Sequence, residues 1–270
     1  MDDKKYPQPV ESIAIIIAVF FITFFILLIY PVYRLATGQP EMGMESTKYF
    51  LLLGVLPMLI LPYLYARLRG YDTINLFRLK AVPPNVIFMS FFIGIGLSVV
   101  GDEIDSLIRI IVETPDFLKD IMVSMQAESP FDWVLLISGV VFGAAFSEEM
   151  VFRGFLQVPL EERGDVTKAV LLVSLAWTLF HTNPWWAVPI FMMGIVIGFL
   201  AWRTGSIVPG IIVHGVNNFL SLLYANFQEE MEWYTMGDHV SPVIFIPALA
   251  ILVYSIYNLS QLYQPPSEES

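Results

Sequence analysis

Residues 12–29 read SIAIIIAVFFITFFILLI, a run without a single charge. A helix rising ~1.5 Å per residue needs about 20 such positions to cover the ~30 Å hydrocarbon layer of a bilayer. The run ends at Tyr30, Pro31, Tyr33 and Arg34, residue types that suit a membrane–water boundary. It is too long for the apolar region of a secretory leader, and no small-residue cleavage site follows, so an anchor is expected. Seven more stretches have the same character: roughly 48–66, 85–101, 131–152, 167–182, 186–203, 206–227 and 240–260. The whole chain agrees with them. Of 270 residues, 56% are hydrophobic and 14% charged, against about a quarter charged in soluble domains. The expected fold is all-α: a polytopic membrane protein of about eight transmembrane helices, forming a single integral membrane domain over 1–270. The lipid bilayer is its first partner.

Composition also excludes function classes. With 0 Cys there is no disulfide framework, thiolate zinc site or cysteine nucleophile. A net charge of -11 offers no basic surface for phosphates, so nucleic acid is not a partner. The basic residues sort by side. Lys4, Lys5, Arg67, Arg69, Arg78, Lys80, Arg153, Arg163, Lys168 and Arg203 fall to one side, and Arg34, Lys48, Arg109 and Lys119 to the other. The richer side is cytoplasmic by the usual charge bias, which puts both termini in the cytoplasm. Between the third and fourth spans lies an acidic segment, 102–130. Within it Ile104, Leu107, Ile108 and Ile111 recur with helical spacing. The expectation is an interfacial helix on the outer surface, with a lid over an active site as the alternative.

Ionisable groups inside a bilayer are costly, and each is a functional hypothesis. The fourth span carries Glu148, Glu149 and Arg153, the fifth ends in His181, and the seventh carries His214 and Asn218. Glu149 and Arg153 are i,i+4 and can pair on one face. Glu148 points ~100° away and has no such partner, so it is free to titrate. The fifth helix returns from a turn near Gly164-Asp165, and counting back from that turn sets position 148 level with 181. The turn near Thr204-Gly205 likewise sets 214 level with 195, opposite the small-residue groove of Gly194 and Gly198. Three helices can therefore converge on one polar site. The bland readings are a helix-locking Glu149–Arg153 pair, a capping His181, and interhelical hydrogen bonding by His214 and Asn218. They weaken when all four buried groups must be explained together. His239, beside Asp238 in an outer loop, is read as incidental.

A glutamate, two histidines and an asparagine without a serine or cysteine suggest water activation rather than an acyl-enzyme. Glu148, helped by His181, would take a proton from water, and His214 and Asn218 would donate to an oxyanion. No cofactor is needed in this reading. A zinc version fits the same residues, with Glu148, His181 and His214 as ligands and one open position. No His-Glu-x-x-His helix makes it specific.

Three ordered motifs carry a resemblance: Glu-Glu-x-x-x-Arg at 148–153, a histidine closing the next span at 181, and His-x-x-x-Asn at 214–218. Together they resemble the CAAX protease and bacteriocin-processing (CPBP) intramembrane endopeptidases, which include CAAX prenyl endopeptidases and bacterial abortive-infection-like proteins. The stretch Arg203 to Pro209 resembles bacterial members, and the likeness covers roughly 140–225, within a catalytic core of about 131–227. It implies an endopeptidase in a prokaryotic cell membrane. Glu148 and His181 would activate water, His214 and Asn218 would stabilise the oxyanion, and Glu149 and Arg153 would support them. The implied partner is a peptide or protein substrate at the membrane, prenylated in the eukaryotic members. The family has been read both as glutamate peptidases and as metalloproteases, and the use for Asn218 favours the former. Position 177 is Trp where the family's second motif usually has Phe, which is expected to alter pocket shape more than activity. The other function classes are a non-catalytic bacteriocin-immunity or scaffold protein and, without repeats to support it, a proton-relaying transporter.

Topology is directly testable in this cysteine-free chain. Single cysteines replacing Asp2 and Ser267 should both escape impermeant thiol reagents added outside intact cells, while one at Glu230 should be labelled. Opposite labelling of the two ends would require an odd number of crossings.

Overall fold

The computed structural model describes residues 6–38, 45–113, 115, 118 and 122–262. Among these residues each apolar run has become a helix: α1 (Pro9–Thr37), α2 (Glu45–Leu68), α4 (Pro84–Ile111), α5 (Pro130–Glu161), α6 (Val166–Phe180), α7 (Ala187–Thr204), α8 (Val208–Asn226) and α9 (Pro242–Leu262), with a one-turn α3 (Thr73–Leu76). Six of them (α1, α4, α5, α7, α8 and α9) are long and apolar enough to cross a membrane, while α2 and α6 carry shorter apolar stretches, Leu52–Leu68 and Val166–Phe180. The protein is an all-α, multi-pass integral membrane protein. Large apolar side chains such as Phe25, Leu172, Ile246 and Tyr254 stay exposed on the helix surfaces, as a hydrocarbon solvent allows.

Helix ends follow local chemistry. Asp165 accepts a hydrogen bond from Lys168 N at 2.9 Å and starts α6, and Ser129 caps α5 ahead of Pro130. Such caps satisfy amides that a helix start leaves unpaired. Gly205, at φ 63°, takes the left-handed conformation that ends α7.

The acidic segment departs from its expectation. Ile104, Leu107, Ile108 and Ile111 continue α4 without a break instead of forming a separate surface helix. No Pro or Gly interrupts 102–111, and Asp105 pairs with Arg109 at i,i+4, so nothing stops the helix at the boundary. Its acidic residues have partners. Tyr234 donates to Asp102 at 2.6 Å, and Glu103 receives His239 Nδ1 and the Val240 amide at 2.9 Å each. These bonds fix a small hairpin, Thr235–Met236 with His239–Val240, against α4, so His239 is an anchor rather than incidental. Burial and the Asp102 carboxylate push the Tyr234 hydroxyl far above the usual tyrosine range, which keeps it a donor. Residues 114, 116–117 and 119–121 lie outside the described residues, as do Lys4, Lys5 and Lys119.

The two ends of the bundle are chemically distinct. At one, Arg69 pairs with Glu11, Arg78 with Glu161, Arg163 donates to Pro7 O at 2.7 Å, and Arg203 donates to Ser260 O at 3.0 Å. Four of the basic residues assigned to one side, Arg69, Arg78, Arg163 and Arg203, lie at this end beside the first and last helices. The opposite end holds the hairpin and the N-termini of α2 and α5. There Lys48 and Asp132, both fully buried, pair at 2.7 Å. Between the ends, α4 lies between α8 and α9. A Cβ on Gly94 would stand 2.8 Å from Val216 Cβ, and one on Gly96 would stand 2.6 Å from Leu252 Cβ. These glycines let three backbones approach closely.

Lys48→Met should lower the melting temperature in detergent, because an uncompensated buried carboxylate costs about 3–5 kcal/mol. Adding Asp132→Leu should recover most of the loss. A single variant as stable as the parent would show that this pair does not hold α2 to α5.

Candidate functional site

The helix that carries the two glutamates is not uniformly wound. Ile137–Ala144 and Met150–Leu156 of α5 are π-helix, and the α-helical turn between them, Ala145–Glu149, holds Ser147, Glu148 and Glu149. Such widened turns re-aim side chains and often accompany functional sites. The glutamates then part company. Glu149 is fully buried, and its Oε1 accepts from Arg153 Nη1 at 3.2 Å, as the spacing predicts, and from His214 Nδ1, also at 3.2 Å. Its Oε2 has no hydrogen-bond partner among the described residues and presses on Gly210, where a Cβ would sit 2.8 Å away. Only glycine fits there.

Glu148 faces a different set of groups. Its Oε2 accepts a 2.6 Å hydrogen bond from Trp177 Nε1 and lies 3.9 Å from Nε2 of His181 and 3.9 Å from Nε2 of His214. The turn-counting that set 148 level with 181 is accurate to one helical turn, with Trp177 as the direct contact. The side chain of Glu148 is 13% exposed and that of His181 29%, whereas Glu149 and Arg153 are at 0%. The paired carboxylate is sealed and its neighbour can be reached.

Hydrogen bonding assigns the imidazole protons. His181 Nδ1 lies 2.8 Å from Trp177 O. A carbonyl only accepts, so Nδ1 carries a proton, and Nε2 is the nitrogen turned toward Glu148. His181 is also the C-cap residue of α6, so the capping and site positions coincide. His214 gives its Nδ1 to Glu149 and likewise turns Nε2 inward. Asn218 lies one turn beyond His214 on α8, and among the described residues no hydrogen bond joins it to Glu148, His181 or His214. Its amide donates to Val140 O at 2.9 Å, in the first π segment.

A polar stripe runs from this site toward the basic end. Arg153 donates to Gly194 O at 3.3 Å, and Gln157 donates to Gly198 O at 2.8 Å and to Glu161 at 2.7 Å; Glu161 then meets Arg78. The Gly194/Gly198 groove therefore does not receive the His214 helix. A Cβ at Gly194 would meet Ser174 and Trp177 of α6, and one at Gly198 would meet Val170. Equal depth was read correctly as a reason for contact, but it does not say which neighbour turns toward the groove. The sequence sets Trp177 beside the pocket without a role for its N–H, and it does not single out Gly210. The i,i+4 spacing of 177 and 181, with a ring that carries a donor, was a usable signal for Trp177; Gly210 left none.

A tetrahedral zinc with bonds of about 2.0–2.1 Å needs donors about 3.3–3.4 Å apart. The Glu148–histidine separations of 3.9 Å are wider than that. Among the described residues no group of three or more His, Asp or Glu is arranged to hold a metal ion.

Residues 130–220, about a third of the chain, match the family profile described as type II CAAX prenyl endopeptidase, Rce1-like. The match runs from the start of α5 into α8 and takes in all three motifs. It supports an intramembrane protease-like function and a peptide substrate at the membrane. No curated protein and no solved structure matches the chain.

Glu149→Gln should lose yield and melting temperature, because a neutral amide leaves the buried Arg153 charge uncompensated, and breaking a buried ion pair costs about 3–5 kcal/mol. A variant that melts like the parent would remove Glu149 from this structural role.

Proposed function

We propose that the chain is an intramembrane endopeptidase that hydrolyses peptide bonds with water activated by Glu148 and His181. Its substrates are CAAX-type peptides, prenylated and held at the bilayer. The observation that carries this reading is the approach of two imidazole Nε2 atoms to one carboxylate oxygen of Glu148, each at 3.9 Å. That separation exceeds a direct hydrogen bond and suits one bridging water.

With the His181 ring neutral, Glu148 and His181 Nε2 are both acceptors, so a water between them donates one hydrogen to each and keeps its own lone pairs for the scissile carbonyl carbon. As the oxygen attacks, its proton passes to Glu148 and the carbonyl oxygen becomes an oxyanion. The C–N bond then breaks and the proton goes to the leaving amine. Positioned proton transfer of this kind contributes ~10²–10⁴-fold. In its doubly protonated form His214 keeps Nδ1 on Glu149 and offers Nε2–H to the oxyanion. Asn218 has a second amide hydrogen beyond the one given to Val140. Each such donor is worth ~10²–10³-fold. The Glu149–Arg153 pair holds His214 in place and takes no proton in this scheme. No metal enters this scheme.

The test is turnover of a prenylated C-terminal peptide by purified protein. Glu148→Gln should lower turnover by ~10²–10⁴ while melting and purifying like the parent, and chelators should leave the parent's activity unchanged. Turnover within threefold would remove Glu148 from the reaction. Stoichiometric zinc that tracks activity, measured by mass spectrometry, would move Glu148, His181 and His214 to a ligand set. An intact phenotype in a Glu148, His181 double variant would point to a non-catalytic scaffold or immunity role.

A further inference from the structure

We propose that the indole N–H of Trp177 is the positioning group that sets the orientation of the Glu148 carboxylate, a role that a phenylalanine at this position could not fill. This rests on the hydrolytic reading of the site. It differs from the expectation that an aromatic exchange at 177 alters pocket shape more than activity.

The geometry is specific. Nε1 lies 2.6 Å from Glu148 Oε2, a close contact to a carboxylate oxygen, and Oε2 is the oxygen that both histidines approach at 3.9 Å. Indole nitrogen donates and cannot accept, so the bond fixes one carboxylate oxygen without competing for the water's protons. Trp177 is fully buried, and the same residue touches the rest of the site. Its carbonyl accepts from His181 Nδ1 at 2.8 Å. Its ring meets the edges of His181 and His214 with centroids 5.0 and 5.2 Å apart, and the Arg153 guanidinium lies 4.4 Å from the ring centroid. Space for the indole is provided by Gly194, where a Cβ would stand 3.1 Å from Trp177 Cε3. A side chain with two torsions, wedged between a glycine and a buried guanidinium, has little freedom to move the carboxylate it holds.

Trp177→Phe keeps an aromatic ring at this position and removes the donor along with the pyrrole half of the indole. It should lower kcat roughly 10–100-fold with KM within about threefold, because the lost bond orients a reacting group rather than binding peptide. The second measurement needs no activity. The indole N–H band of Trp177, isolated as the parent-minus-Trp177→Phe difference in ultraviolet resonance Raman spectra, should report a strong hydrogen bond. That band should weaken in Glu148→Gln. Unchanged kcat in Trp177→Phe would overturn the proposal, and so would an N–H band indifferent to Glu148→Gln. If the parent cleaves no prenylated peptide, the hydrolytic reading fails, and the Raman difference still decides whether Trp177 holds Glu148. If Trp177→Phe fails to fold, the indole N–H spectrum of Glu148→Gln compared with that of the parent remains decisive.

Discussion

A carboxylate removed from water must be matched where it sits, because an unmatched charge in a low-dielectric interior costs several kcal/mol. Glu149 meets this demand with two donors from different places in the chain, Arg153 one turn along its own helix and His214 on α8. Much follows from that single requirement. Arg153, held by Glu149, reaches Gly194 O and lies over Trp177, which ties α5 to α7 and α6. His214, held by the same carboxylate, turns its second nitrogen to Glu148. Gly210 has to be glycine because the carboxylate occupies the space a side chain would take. The pair first read as a lock on one helix locks four.

Much of this was legible in the residues. Apolar runs and their lengths gave the helices, because the bilayer sets a strict minimum and punishes charge. Rarity then picked out the polar residues within them. The i,i+4 rule found Glu149–Arg153, and counting from a turn brought Glu148 to the level of His181. Rules of periodicity do not carry direction between helices, so the groove at Gly194 and Gly198 was assigned to the wrong neighbour. Nor do they carry partners across a tertiary gap. Lys48 and Asp132, 84 positions apart, give no local sign of their bond. The extension of α4 through Ile111 was hidden for a related reason: acidic residues look like a boundary until their partners on the hairpin are seen.

The π windings of α5 are the feature that no sequence pattern announced. In a regular α-helix a stripe of residues four apart drifts ~40° per step, so Glu149, Arg153, Gln157 and Glu161 would wind round toward lipid. A π segment has wider turns and offsets that drift. The four stay aligned, and Arg153 and Gln157 find carbonyls at Gly194 and Gly198, themselves four apart on α7. The short α-helical turn between the two segments is where Glu148 and Glu149 part, one facing Trp177 and the other His214.

Helix α6 is brief. Its 15 residues, Val166–Phe180, span ~22 Å, about 8 Å short of a typical hydrocarbon layer. Backbone that leaves a helix within hydrocarbon needs local hydrogen-bond partners. The link after His181 adapts locally: Thr182 adopts φ 50°, and Asn183 Oδ1 receives the amides of Trp185 and Trp186 at 3.1 and 3.4 Å. A helix that falls short draws the bilayer thinner around it or admits water to its end. The brevity of α6 thus puts a helix end, rather than a helix middle, beside Glu148, and the His181 side chain there stays 29% exposed.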